Sequence, residues 1–310
     1  MSKIGIIGLG KVGSQVLTDV QNLNLFSDIV LIDTDTEKAS GEALDHLHTQ
    51  GLPNSTHINI REGNYEDLTD ASFIVITASV PTDPNEGDRV LLAKGNRIMI
   101  EGVMKQINQV TQDAIVILVS NPVDTITYMS NASQYPSHKI IGTGTSLETS
   151  RFKTLIASYY QVDPKNVEAF VIGEHGQHAV PVWSKVRIYG MTLDEFQQLT
   201  DTPPIDKTRI TSEIDQVSMD VFYKKGWTNV AISKVVNYLI QAIALNQQSI
   251  MPLTSISNEY GLNESAFSLP TLVGREGIKQ RFEIQLSPTE IAQLKEAHRY
   301  IKQTISKVTN

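Results

Sequence analysis

"IGIIGLGKVG", residues 4 to 13, is an apolar run that ends in three glycines spaced G-x-G-x-x-G. The run predicts a buried strand, and the residues after Gly10 predict a helix. In such a strand–turn–helix, Gly8 permits the tight turn, Gly10 lets a pyrophosphate approach the backbone, and Gly13 lets helix and strand pack closely. The helix start, with Lys11 and Val12, offers free N–H groups and the positive end of the helix dipole to phosphate. About 20 residues on, "VLID" closes a second apolar run at Asp33, placed to accept from both ribose hydroxyls. Its charge repels a 2′-phosphate, so NAD is expected over NADP. A bare glycine motif is weak; strand, helix and spaced acid together make a dinucleotide site.

Outward from this unit, short β-branched runs recur at 28–33, 72–78, 114–120 and 139–144, separated by amphipathic stretches. Continuous apolar runs of this length predict parallel strands covered on both faces, hence a doubly wound α/β domain over 1–144. Beyond residue 145 the pattern changes. A helix over 145–160 precedes strands near 167–172 and 180–188, then helices around 205–224 and 229–249. Strands near 250–257 and 267–274 and a helix after Ser287–Pro288 complete an α+β domain over 145–310. No Pro/Ser-rich linker divides the halves, and their junction is the default place for a cleft.

Composition narrows the chemistry. The 310 residues carry a formal charge of -8, which disfavours nucleic acid or anionic membrane as the main partner. With no cysteine, disulfides, thiolate nucleophiles and cysteine-held metals are excluded, which fits a cytoplasmic protein. The first residues are too short and broken an apolar run for a signal peptide or membrane span. Histidines 46, 48 and 57 supply no coherent metal-ligand set. Met99, Ile100, Val103 and Met104 are expected in the core.

Four further stretches carry polar groups at suggestive places. "VIGEHGQHAVPVW" (171–183) sets His175 between Gly173 and Gly176, which alone reads as a turn with an exposed histidine. "LVSNPVD" (118–124) turns at Asn121–Pro122, at the sheet edge where ligands of open α/β folds bind, or simply turns. "SLETSR" (146–151) puts Glu148 and Arg151 on one helix face, as a surface salt bridge also does. "EGDR" (86–89) ends a polar loop at Arg89, where a solvated arginine is the plain reading.

Together with "KGWTNVAIS" (225–233), these stretches resemble, in order and spacing, the L-lactate/malate dehydrogenase family over essentially the whole chain. Within it the likeness is strongest to L-2-hydroxyisocaproate and bacterial L-lactate dehydrogenases. The resemblance implies hydride transfer between NADH and a 2-oxo acid, with His175 as general acid/base. It implies that Glu148 orients the imidazole and raises its pKa, and that Arg151 holds the substrate carboxylate through a bidentate pair. Arg89 is then expected to swing in and polarise the carbonyl, while Asn121 and Thr228 line the nicotinamide and substrate pocket. Asn121 is also expected among the cofactor contacts, with Gly8, Gly10, Lys11, Val12, Gly13 and Asp33.

The chain departs from the family pattern in places. Glu148 stands where the family normally has aspartate, and the helix or a rotamer is expected to compensate for its extra length. Lys153 and Glu168 replace the arginine and histidine of relatives activated by fructose 1,6-bisphosphate, so insensitivity to that sugar is expected. In the loop 79–90, the position where malate enzymes carry a second arginine falls at Asp83, Pro84 or Asn85. None is cationic, so malate dehydrogenase, the same-class alternative, is disfavoured. The loop's extra length points to a pocket for larger 2-oxo acids, with 2-oxoisocaproate rivalling pyruvate. NAD-dependent glycosidases normally use a cysteine at their metal site, and a non-catalytic NAD-binding module leaves His175, Arg151 and Arg89 without joint purpose. A homotetramer or homodimer is expected, and, with the first strand read at residues 3–9, assembly is expected without the N-terminal arm that some relatives use.

Overall fold

The computed structural model describes residues 2–53, 55–80 and 89–309, and of residues 89–92 the backbone alone. The first half alternates β1 (Lys3–Ile7), α1 (Lys11–Gln21), β2 (Asp28–Ile32), α2 (Thr36–His48), β3 (Asn59–Glu62), β4 (Phe73–Ile76), α3 (Arg89–Val110), β5 (Ile115–Leu118), α4 (Val123–Ser130) and β6 (Ile140–Gly142). The six strands are parallel, in the order β3-β2-β1-β4-β5-β6. Alternate residues leave each strand on opposite faces. Ile4, Ile6, Val75 and Ile117 pack with α1 on one side; Ile7, Ile74, Ile76 and Leu118 pack with α3 and α4 on the other. Both faces are therefore dry, which is why these strands read as unbroken apolar runs. Fully burying one such side chain contributes about 1.5–3 kcal/mol. Ile100, Val103 and Met104 are buried in that second layer, with Met99 packed against it.

The second half comprises α5 (Ser146–Tyr160), β7 (Val167–Glu168), β8 (Val171–Gly173), β9 (Ala179–Pro181), β10 (Arg187–Ile188), β11 (Met191–Thr192), α6 (Leu193–Thr200), α7 (Lys207–Lys225), α8 (Val230–Ala244), β12 (Ile250–Ser257), β13 (Ser265–Gly274), β14 (Gly277–Arg281) and α9 (Pro288–Thr309). The expected strand over 180–188 is instead β9, a 3-10 turn at Trp183–Lys185 and β10. The sheet does not stop at residue 144. Thr254 of β12 pairs with Gly142 of β6, and Ser268 of β13 pairs with Gly173 of β8, so one sheet runs from the glycine turn to the strand before His175. Helix α8 closes the first half from outside: Val236, Leu239, Ile240 and Ile243 join the cluster of Val16, Leu17 and Val20 on α1. Among the described residues, no helix is long and apolar enough to cross a membrane.

Candidate active site

The glycine turn follows from its sterics. Gly8 has φ +92°, and a Cβ there would sit 2.5 Å from the Ala78 backbone. At Gly13 a Cβ would fall 1.9 Å from the Gly8 carbonyl oxygen. Gly10 is the opposite case: a Cβ would meet nothing within 4 Å, so open space lies over the backbone where a ligand can approach. No side chain caps α1 at Gly10, and no acidic residue stands in its first turn. Asp33 does more than its spacing predicts: Oδ2 accepts the Leu9 N–H at 2.6 Å and Oδ1 the Asp35 N–H at 3.0 Å. Burial works to raise its pKa, but these bonds outweigh it and hold the carboxylate ionised. Val12 packs against the core, and the Lys11 ammonium lies 4.7 Å from the Trp227 ring centre, beside Thr228. An uncapped helix start, open backbone and an anchored acid fit a dinucleotide. Gly13→Ala is expected to cost about 3 kcal/mol or more, because the obstacle is backbone that cannot yield. Thermal unfolding and NADH fluorescence titration check it; an unchanged Tm with unchanged binding contradicts it.

Two polar bridges set the loops at the carboxyl ends of β4 and β5. Asn96, buried on α3, accepts the Val80 N–H at 2.7 Å and donates to the Asn121 carbonyl at 2.7 Å. Asn121 itself is exposed and joined to Pro122 by a cis peptide.

Glu148, Arg151 and His175 line one cavity of about 120 Å3, with walls from Gln177, Pro181 and α7 residues Thr211, Ile214, Asp215 and Ser218. The helix start of α5 projects Glu148 and Arg151 inward, and β8 delivers His175. The Glu148 side chain is buried, and its Oε1 lies 3.1 Å from His175 Nδ1 and accepts from Arg151 Nη1 at 3.2 Å. The extra methylene of glutamate is thus accommodated. The approach to Nδ1 is close enough for an ion pair but poorly aligned, leaving Nδ1 and Glu148 Oε2 without a hydrogen bond. Such bonds often tighten only when substrate closes the site.

The charges around the imidazole are one-sided. Burial alone pushes His175 down, but Glu148, with Asp124 and Glu174 behind it, raises its pKa to about 9. Burial opposes ionisation of Glu148 as well, yet His175 and Arg151 hold it below the usual carboxylate range. Glu174 is not among the cavity's lining residues; it accepts the His178 N–H at 2.9 Å and is pushed up to about 7 by burial and then by Asp124.

The other expected residues are placed differently. Asn121 and Thr228 do not belong to the lining of this cavity. The loop residues Asp83, Pro84 and Asn85 lie outside the described residues, as does the Arg89 side chain, whose backbone opens α3. His46 is buried against α1, its Nδ1 2.6 Å from Gln21 Oε1. Lys153 and Glu168 line a second cleft, of about 730 Å3, together with Lys165, Lys185 and Lys234. These lysines outnumber the glutamate, so the expected insensitivity to sugar bisphosphate rests on the missing arginine fork rather than on repulsion.

A model of the lactate/malate dehydrogenase NAD-binding domain matches residues 2–142, and a model of the α/β C-terminal domain of the same enzymes matches residues 145–310. The chain belongs to the lactate/malate dehydrogenase family. It is an NAD-dependent oxidoreductase of that family. Over 98% of its length this dehydrogenase is 41% identical to L-lactate dehydrogenase 2 of Clostridium acetobutylicum, covering 96% of that protein. It is 36% identical to the L-lactate dehydrogenase of Selenomonas ruminantium at the same coverages. A ligand-bound structure of the minor L-lactate dehydrogenase from Enterococcus mundtii superposes with a TM-score of 0.93, at 28% identity over 99% of this chain and 98% of that one. The L-lactate dehydrogenase from Clostridium thermocellum matches with a TM-score of 0.87 at 32% identity, over the whole of both chains.

Proposed function

We propose that the enzyme interconverts pyruvate and L-lactate, and that the grouping of His175, Glu148 and Arg151 around one small cavity carries this reading. Bound NADH supplies the hydride, and bound NAD accepts it in reverse. Arg151 pairs with the substrate carboxylate through its guanidinium fork, which fixes the ketone beside His175. Nδ1 of His175 faces Glu148, which leaves Nε2 to give its proton to the carbonyl oxygen on reduction and to take the hydroxyl proton on oxidation. Glu148 holds the ring and the positive charge. Arg89 polarises the carbonyl, and Asn121 and Thr228 stand by the nicotinamide. Asp33 and the glycine turn hold the nucleotide.

A cavity of about 120 Å3 suits a short 2-oxo acid. The expectation of a roomier pocket came from the loop outside the described residues, so pyruvate now stands ahead of 2-oxoisocaproate, with malate not favoured. Exposed Phe222, Tyr223, Val230 and Tyr238 on α7 and α8 support the proposed homodimer or homotetramer, which light scattering can determine. The same chemistry fixes the sign of the pH dependence. Reduction needs the imidazolium, so with a pKa of about 9 its kcat/KM is expected to hold through neutrality and fall as pH rises past that value. Oxidation needs the neutral ring and is expected to rise over the same interval. NADH consumption with pyruvate, and NAD reduction with L-lactate, across this range test the assignment; profiles that move together contradict it.

A further inference from the structure

Asp124 is a buried acid that the reaction described above does not use. It occupies the first turn of α4, is 3% exposed, and forms no ion pair among the described residues. Its carboxylate does not cap its own helix. Instead Oδ2 accepts the backbone N–H of His175 at 2.7 Å, and Oδ1 accepts the hydroxyl of Thr254 at 2.5 Å. A buried carboxylate held only by neutral donors costs several kcal/mol to desolvate. Fold stability alone gives little reason to retain the charge. An asparagine could accept from His175 N–H and donate to Thr254, whose hydroxyl can turn.

The hydrogen bonds behind Asp124 favour its ionised form. The Thr145 N–H, at the start of α5, donates to Ser268 Oγ at 2.9 Å. Ser268 and Thr254 hydroxyls are 2.8 Å apart. Because Thr254 spends its proton on Asp124, Ser268 donates to Thr254. The donors therefore run in one direction, from the positive end of α5 through β13 and β12 to the carboxylate, and such aligned chains reinforce each other. Burial pushes Asp124 up to about 6, leaving it charged at neutrality.

We propose that Asp124 is a positioning residue for the dehydrogenase: it pins the backbone of His175 in the glycine-flanked turn and supplies a second negative charge that keeps the imidazole protonated. This rests on His175 being the acid/base group. Gly173, at φ +85°, and Gly176, at φ +150°, leave the turn little stiffness of its own, so a fixed acceptor for the His175 N–H sets where the ring stands. The charged groups facing that ring are Glu148 and Arg151 from α5, Asp124 from α4, Glu174 on its own turn with His178 behind it, and Asp215 from α7 across the cavity. Of the carboxylates, Glu148 touches the ring and Asp124 holds the backbone N–H.

The experiment compares Asp124→Asn, Thr254→Val and Thr254→Ser with the wild-type enzyme. Readouts are kcat/KM against pH in both directions and the His175 ring titration followed by NMR in the free protein, its signal assigned by loss in His175→Gln. Asp124→Asn is expected to lower the His175 titration, and the alkaline fall of pyruvate reduction with it, by about one pH unit or more. Lactate oxidation then begins its rise at correspondingly lower pH. Thr254→Val, which strips one donor from the carboxylate and raises its pKa, is expected to shift both limbs part of the way, and Thr254→Ser to restore them. Equal losses in both directions with the titration unmoved overturn the proposal and leave Asp124 a structural acid. Should Asp124→Asn fail to fold, an unshifted Thr254→Val decides against it. A wild-type enzyme whose two profiles do not diverge with pH instead refutes the role given to His175.

Discussion

Glu148→Gln is expected to lower kcat for pyruvate reduction by on the order of 10⁴-fold, the scale seen when the acid behind a catalytic histidine becomes its amide. The replacement keeps shape and removes charge. At 3.1 Å from Nδ1, Glu148 is the main influence raising the His175 pKa against burial, so the amide lets that pKa fall and depletes the imidazolium at neutrality. A second loss follows from sharing. Oε1 serves both His175 and Arg151, while Oε2 is buried without a hydrogen bond. An amide oriented to keep the oxygen at Oε1 buries an unsatisfied NH2 in place of Oε2, at about 1–3 kcal/mol. The flipped amide points N–H at Arg151, which is a donor itself. Neither orientation restores the wild-type site. Steady-state kinetics with saturating NADH, alongside a melting curve to exclude unfolding, measure the effect; a kcat within a few-fold of wild type assigns the histidine to another partner.

What the sequence made legible follows from range. The dinucleotide unit is local: strand, glycine turn, helix and Asp33 lie within one short stretch, and their sterics reappear as the Gly8 and Gly13 contacts. The core strands β1, β2, β4 and β5 were legible because both faces are dry and, after Lys3 and Asp28 at the strand starts, every residue is apolar. β3, with sequence NIRE, was not, since it is an edge strand burying only Ile60. β14, GIKQR, was missed for the same reason. Glu148 and Arg151 announced a shared face by helical spacing, but nothing local says that His175 meets them; the family resemblance supplied that. Asn96 and Asp124 were invisible. Their partners, Val80, Asn121, His175 and Thr254, are distant in sequence, and a buried asparagine or aspartate has no periodic signature. Nor does any motif reveal that β12 and β13 carry the first sheet on to β8. That continuity is what brings Thr254 and Ser268 close to the turn that holds His175.

Oxaloacetate is expected to be a poor substrate, with kcat/KM about 10³-fold below that of pyruvate. The reason lies in the cavity walls. Among the described residues lining it, Arg151 is the one permanent cation, and on the proposed reading the first carboxylate of any 2-oxo acid takes it. A second carboxylate meets Thr211, Ile214, Asp215, Ser218 and Gln177, which offer hydroxyl and amide donors but no positive charge. Hydrogen bonds from such donors to a charged group contribute about 1.5–3 kcal/mol. Desolvating an unpaired carboxylate costs several kcal/mol, so the donors do not offset it. Asp215 adds repulsion, reduced by its exposure to water and salt. A shortfall near 4 kcal/mol corresponds to about three powers of ten in rate. Pyruvate presents only a methyl group to the same wall and meets no such penalty. Asp215→Asn is therefore expected to improve oxaloacetate while leaving pyruvate nearly unchanged, and placing a cation on that wall with Ser218→Arg is expected to improve it further. Initial rates for both acids with each variant decide the matter: oxaloacetate turned over by the unaltered enzyme as well as pyruvate means that a cation outside these walls neutralises the second carboxylate.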